Sequence, residues 1–285
     1  MANNTNVTIE KLIVYPVKSL RGIEVAQWPI TPQGLQYDRH WMLVMPNGRF
    51  VSQRQLPKMA LINTAIANES LTLSAEGYGE VSLPLVGSNQ SERFQATVWR
   101  DECDVIEASV EVSAWLNNVL QPAKPLRLVS IADNFIRPQS NPERFGEETF
   151  TAFADAAPFL VANTASLDQL NRQLQQQQSP LVDMRRFRPN IVISGLAAFE
   201  EHRVQRLSHN DGLALNLRDH CERCIMTTIN PDNAEKDPSM QPFKTLLDLN
   251  PMPDNHKAPA FAVNATLEPA RNSLWQVGDE LAVQC

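Results

Sequence analysis

The sequence predicts a mainly β protein with helices on its flank, an α+β architecture. Three observations lead there. Short β-branched and aromatic runs crowd the first hundred residues and return after Phe187. Two segments between them carry helical periodicity. Proline is abundant (20 residues) and glycine scarce (10) in a chain of 285, so the connections are stiff, as suits many short strands joined by fixed turns. With 43% apolar and 20% charged residues, the chain has an ordinary globular composition and the length to bury a substantial core.

Taken in order, residues 8–15, 25–30, 41–45, 60–67, 71–74 and 94–99 read as strands, separated by turn signals such as Pro46-Asn47-Gly48. That spacing suits an antiparallel barrel or sandwich. Val112, Trp115, Leu116, Val119 and Leu120 then fall at i, i+3, i+4, i+7 and i+8, one apolar helical face that Gln121-Pro122 stops. A strand at 126–131 leads into a polar loop, 132–149, read as mobile or as a lid. After a strand at 159–162 comes a second helix, with Thr164 as its N-cap and Leu167, Leu170 and Leu174 on one face, running out in Gln175 to Gln178. Strands resume at 191–194, 213–217, 224–229, 261–267 and 280–284, the last fed by a turn at Val277-Gly278-Asp279.

A net charge of −7 argues against a general nucleic-acid surface, which needs a basic face to release counterions. Any anion site must be a local pocket. The opening MANNTNVTIEKLIVYPV has no basic segment followed by a long apolar run, and nowhere do 18 apolar residues run together. The chain therefore reads as cytoplasmic, with no membrane partner. Cys103, Cys221, Cys224 and Cys285 are too few and too scattered to form a disulfide framework in a chain this long.

Cys221-x-x-Cys224, inside RDHCERCIMTTINP, admits several readings. A structural zinc site normally needs two such pairs. Here there is one pair, and His220 beside it points to the opposite face of an extended chain. A redox dithiol wants a helix N-terminus, whereas Ile225 to Ile229 look like a strand. Two cysteines packing as small hydrophobes is the plain alternative. Against it stands the neighbourhood: Arg218 and Arg223 flank the pair, and RRFRPN supplies Arg185, Arg186 and Arg188. Guanidiniums steady a thiolate and bind phosphate. Arg185 and Arg186 read as a solvated, ion-paired face, while Arg188 runs into Pro189 and an apolar strand, near a barrel mouth.

VYPVKSLRG, YDRHW, FVSQRQLPKMALI, SAWLNNVL, FADAAPFLVANTASLDQLN, FRPNIVISG, CERCIMTTINP and VGDEL follow one another along nearly the whole chain. In that order they resemble the MOSC family, named for molybdenum cofactor sulfurase C-terminal domains, in its two-part form with an N-terminal MOSC-associated β-barrel. The resemblance implies a MOSC β-barrel packed against that second barrel-like domain, with residues 1–125 as the associated domain and 126–285 as the MOSC domain. VYPVKS must reach the pocket of Cys224, so residues 1–42 are expected to contribute to the MOSC barrel as well.

The resemblance further implies a molybdenum cofactor, a molybdopterin-bound Mo. Cys224 becomes the metal ligand and catalytic residue, Lys18, Ser19 and Arg39 fall to the cofactor phosphate, and Arg188, Asn190, Arg223 and the loop Asp155, Ala156, Ala157 line pterin and metal. A soft thiolate suits such a metal and arginines suit a phosphate. Ala156 and Ala157 stand where some relatives carry hydroxyls, so that loop offers backbone groups, and Cys221 has no assigned role. The implied activity is oxygen removal from N-hydroxylated small molecules: amidoximes, hydroxylamines and N-hydroxylated bases. Electrons would come from a separate donor protein of ferredoxin, flavoprotein or cytochrome type, since no ferredoxin-like cysteine set follows. The alternative is a carrier that holds the cofactor, or a persulfide on Cys224, and hands it on.

Overall fold

A computed structural model describes residues 6–86, 92–137 and 139–285. The first five residues of the opening segment, and Pro138 of the loop 132–149, lie outside the described residues.

Seven strands close into a barrel. Around it run Ile191–Ser194, Phe159–Asn163, Ala260–Glu268, Ala214–Glu222, Arg206–Ser208, Glu280–Gln284 and Asn6–Val14, and the last pairs back onto the first. The strand nearest the N-terminus is therefore a stave of the barrel, held between Ile191–Ser194 on one side and Glu280–Gln284 on the other. Phe159–Asn163 and Ile191–Ser194 run parallel, and the helix Thr164–Gln176 makes the crossover such a pair requires. Val7, Ile9, Leu12, Val14, Val161, Ile193 and Leu215 fill the interior, each contributing about 1.5–3 kcal/mol by leaving water. In Asn6–Val14, alternation holds up to a bulge between Ile9 and Lys11. Beyond it Leu12 and Val14 face inward while Ile13 and Tyr15 pack outside with Leu170, Leu174 and Leu246 of the helices, so both faces are covered.

The other half of the chain makes two antiparallel sheets. One runs Trp41–Val44, Arg127–Ile131, Asp101–Glu107 and Arg93–Val98; the other is the meander Asn63–Ala67, Ser70–Ala75 and Gly79–Pro84. The helix Val110–Leu120 packs Val112, Leu116, Val119 and Leu120 against Leu71, Leu73 and Leu83, the face its periodicity predicts. Ser109 caps it by accepting from the Val112 N–H, and Gln121, in the left-handed region, ends it.

Four local expectations are corrected. The run 224–229 is not a strand: Ile225–Thr228 form a 3-10 turn. The neighbouring strand Ala260–Glu268 ends its pairing at Glu222, and the Thr227 and Thr228 hydroxyls donate to the Cys224 and Ile225 carbonyls, replacing a ladder by local bonds. Residues 60 and 61 belong to the 3-10 turn Pro57–Leu61, with the strand starting at Asn63. Asn163, not Thr164, caps the second helix, accepting from the Ala165 N–H. The loop 132–149 is tied down, carrying the short helix Pro142–Phe145 with Phe145 buried and Arg137 4% exposed.

Candidate functional site

The ends of the barrel strands face the second half of the molecule across a cavity of about 370 Å³, within the range of small-ligand sites. All ten residues singled out above line it: Lys18, Ser19, Arg39, Asp155, Ala156, Ala157, Arg188, Asn190, Arg223 and Cys224. Each lies beside a strand end. Lys18 and Ser19 follow Asn6–Val14, residues 155–157 precede Phe159–Asn163, Arg188 and Asn190 precede Ile191–Ser194, and Arg223 and Cys224 follow Ala214–Glu222. The lining carries seven cationic side chains against three acidic ones, a local reversal of the chain's net charge of −7. Ser19, Arg39 and Arg188 hold φ of 70°, 47° and 57°, left-handed backbone of the kind that persists where the surroundings over-determine it.

Lys18 is buried and donates to the Phe153 carbonyl (2.7 Å) and to Asp155 Oδ1 (2.5 Å). Burial pushes its pKa down, and Asp155 opposes that. At Asp155, loss of bulk water in the cavity pushes the carboxyl up, but the Lys18 ammonium and the Trp99 N–H, which donates at 2.8 Å, outweigh it and hold the group well below the usual carboxylate range. The carboxylate is thus fixed as an acceptor between the two halves of the fold.

Arg39 is aligned by Asp38 (2.6 Å) and donates to the Arg188 carbonyl (3.0 Å). Arg188 donates to the Leu20 carbonyl (2.7 Å), and burial, then Arg39, push its pKa down to about 10. Asn190 lines the cavity with its amide committed to the backbone, donating to the Ile13 carbonyl and accepting from the Leu160 N–H. It fastens three strands together at the cavity floor. Arg186, expected on a solvated face, lines the cavity and donates to the Thr227 carbonyl (3.0 Å), because the 3-10 turn that replaces the expected strand brings that carbonyl within reach. Arg185 keeps the ion-paired position, bonded to Asp183 and Asp232.

The two thiols are distinguished by their partners. Arg223 Nη1 donates to Cys221 Sγ and Arg54 Nη2 donates to Cys224 Sγ, both at 3.0 Å. Bulges between Leu217 and Asp219 and between His220 and Glu222 break the alternation of the strand, so His220 and Cys221 both line the cavity rather than facing opposite ways. The His220 ring packs edge-on against His202, 4.0 Å between centroids.

Sequence reasoning missed Arg54, Trp99 and Arg137. Arg54 lay inside FVSQRQLPKMALI without a role; its guanidinium also stacks 4.9 Å from the Trp99 ring centroid. Trp99, 48% exposed and at φ 58°, sits in a tight hairpin turn, and no signal in its own neighbourhood points to the cavity. Arg137 binds Asp101 and the carbonyls of Ala152 and Ala154, holding the loop that leads to Asp155.

Residues 6–123 match the MOSC N-terminal beta barrel domain and residues 148–281 the MOSC domain. The chain belongs to the MOSC family. Mitochondrial amidoxime-reducing component 1 of Mus musculus is 32% identical to this MOSC protein over 84% of the chain and 70% of that relative. Molybdenum cofactor sulfurase of Danio rerio is 30% identical over 96% of the chain but 34% of its own length. The crystal structure of the YUAD protein from Bacillus subtilis aligns over 99% of this chain and 98% of that one, at 12% identity and a TM-score of 0.45. No helix among the described residues is long and apolar enough to cross a membrane.

Proposed function

We propose that this MOSC protein binds the molybdenum cofactor and reduces N-hydroxylated compounds, namely amidoximes, hydroxylamines and N-hydroxylated bases. The observation that carries the reading is a partly exposed cysteine sulfur, Cys224 Sγ, meeting a guanidinium-rich wall in one cavity. The donor set fits the group. Among the described residues no three His, Cys, Asp or Glu side chains cluster to hold a metal by themselves, which suits a metal that brings its own sulfur ligands and needs one thiolate more. Buried Arg223 Nε has no partner among the described residues, which suits an anionic, acceptor-rich ligand.

When bound, the cofactor supplies the two-electron chemistry that takes oxygen from nitrogen. The protein's part is binding and orientation. Cys224 offers its sulfur as the ligand, and Arg54 aims that sulfur from the facing half of the molecule. Lys18, Ser19 and Arg39 hold the phosphate; Arg188, Asn190, Arg223 and the backbone of residues 155–157 line the pterin and metal. Phe50 and Trp99, in edge contact at 5.1 Å, wall the cavity on the side toward the second sheet. Electrons come from a donor protein of ferredoxin, flavoprotein or cytochrome type, and the reading places the protein in the cytoplasm.

The presence of a second sulfur in the cavity, Cys221, favours one other reading, a carrier of the cofactor or of a persulfide on Cys224. One experiment separates them. Protein purified from a cofactor-producing host is assayed for molybdenum and for turnover of N-hydroxycytosine with a chemical reductant. Metal with turnover supports the reductase, metal or sulfur in stoichiometric amount without turnover supports the carrier, and neither metal nor turnover refutes both.

A further inference from the structure

A second cavity, of about 50 Å³, shares Arg186, Arg188 and Met226 with the larger one and opens onto Tyr15, Arg21 and Gly22. Tyr15 is 2% exposed, and its ring is held between two guanidiniums, the Cζ atoms of Arg39 and Arg188 each lying 4.2 Å from the ring centroid. Gly22 makes room for that ring: a Cβ there would stand 2.5 and 2.7 Å from two of its carbons.

Three buried polar atoms on side chains lining this cavity have no partner among the described residues: Tyr15 Oη, Arg21 Nε and Arg188 Nη2. All three carry a hydrogen to donate. Burial, opposed by Arg188 and Arg39, lifts the Tyr15 pKa to about 12, so its hydroxyl keeps the proton. A buried donor left unpaired is costly, and three such donors on side chains lining one small cavity call for a common acceptor. The charges agree. Of the four arginines on the lining, Arg185 is committed to Asp183 and Asp232, and the one acid, Glu24, is paired with Lys11. Arg21, Arg186 and Arg188 remain, and among the described residues Arg21 alone of these three comes within 4 Å of a carboxylate, Asp232 at 3.8 Å.

We propose that this cavity binds one small inorganic anion, of halide to nitrate size, held by Tyr15 Oη, Arg21 Nε and Arg188 Nη2. The volume suits it, since a single water needs about 10–15 Å³ by the same measure. A halide accepts every donor and brings none of its own; each water placed here must also find acceptors for two hydrogens. Because Arg188 lines both cavities, the anion fixes the guanidinium that faces the larger site. The inference stands on the small cavity alone and does not need the cofactor.

The test uses the full chain and bromide as the probe. Crystals soaked in bromide are expected to show an anomalous peak between Tyr15 and Arg188. Thermal unfolding at constant ionic strength is expected to shift upward, saturably, as bromide replaces gluconate. Tyr15→Phe, which keeps the ring and removes one donor to a charged acceptor, is expected to raise the half-saturating bromide concentration about ten-fold. Ordered water with no anomalous signal, the same unfolding curve in both anions, or a Tyr15→Phe protein that responds like the wild type each overturns the proposal.

Discussion

Arg137→Met probes how the cavity loop is held. Arg137 Nε and Nη2 donate to Asp101 Oδ2 at 2.8 and 2.6 Å, and Nη1 donates to the carbonyls of Ala152 (3.1 Å) and Ala154 (2.7 Å). Between those carbonyls lies Phe153, whose own carbonyl accepts from Lys18. Methionine keeps the reach of the side chain and loses all four bonds. Asp101, its side chain 11% exposed, keeps the Ser140 hydroxyl at 2.6 Å. Removing one partner of a buried ion pair costs about 3–5 kcal/mol, against about 0–1 kcal/mol for an exposed pair. That is a large share of the 5–15 kcal/mol typical of a folded domain. Urea unfolding of wild type and variant, followed by tryptophan fluorescence, measures the difference, and Asp101→Asn completes a double-mutant cycle. A loss below about 1 kcal/mol would refute the reasoning: the arginine would then behave as a surface residue and the loop would have another anchor. The same variant is expected to retain less molybdenum, because the carbonyl that positions Lys18 is no longer fixed.

Cys224→Ser is expected to abolish molybdenum retention while Cys221→Ser keeps most of it; equal loss in elemental analysis of the two proteins would restore the paired-thiol reading. Arg54→Met removes the donor to Cys224 Sγ, and since the partners of metal ligands are worth about 10–100-fold in metal affinity, molybdenum content is expected to fall by at least about ten-fold, with Arg54→Lys between; wild-type content in Arg54→Met sinks the assignment. His202 is pushed from 6.5 down to about 3, by burial first and then by His220. A depressed folded-state pKa means that stability is full above the unfolded value and is lost as pH falls from about 6.5 toward 3, by about 1.4 kcal/mol per pH unit at the steepest. His202→Gln is therefore expected to flatten the urea-midpoint profile between pH 6 and 4, and an unchanged slope counts against the buried neutral imidazole.

Elements whose stabilising contacts repeat at short sequence intervals were readable. The helix Val110–Leu120 announces its buried face every third or fourth residue and its stop at Gln121-Pro122. Gly79–Pro84 and Asp101–Glu107 went unread because Gly79, Glu80 and Pro84 in one and Asp101, Glu102, Asp104 and Glu107 in the other are residue types depleted in strands. The segment after Cys224 misled for a different reason, since threonine hydroxyls there serve local carbonyls, a preference that β-propensity does not carry. Lys18, Arg39, Arg188 and Cys224 sit in motifs that a family resemblance picks out. Arg54 and Trp99 do not come from the barrel at all. Their roles exist through contacts 170 and 56 residues away in sequence, and a linear reading had no reason to join them. Arg137 was hidden by its surroundings, a polar loop in which one arginine is buried and the rest of the charge is not.

The strand Asn6–Val14, wedged between Ile191–Ser194 and Glu280–Gln284, gives the molecule a order of assembly. During synthesis its first stave emerges long before either neighbour exists, and Glu280–Gln284 emerges after every other stave. Until then the barrel is an open, twisted sheet with unpaired edges, a state that invites wrong partners. Contacts spanning most of the chain also make closure slow. The meander and the helix Val110–Leu120, built from neighbours in sequence, can form while the ribosome is still working. Closure of the barrel then acts as a check on assembly, because the cysteine, the arginines and Lys18 meet in one cavity after Asn6–Val14 has paired with Ile191–Ser194 and Glu280–Gln284.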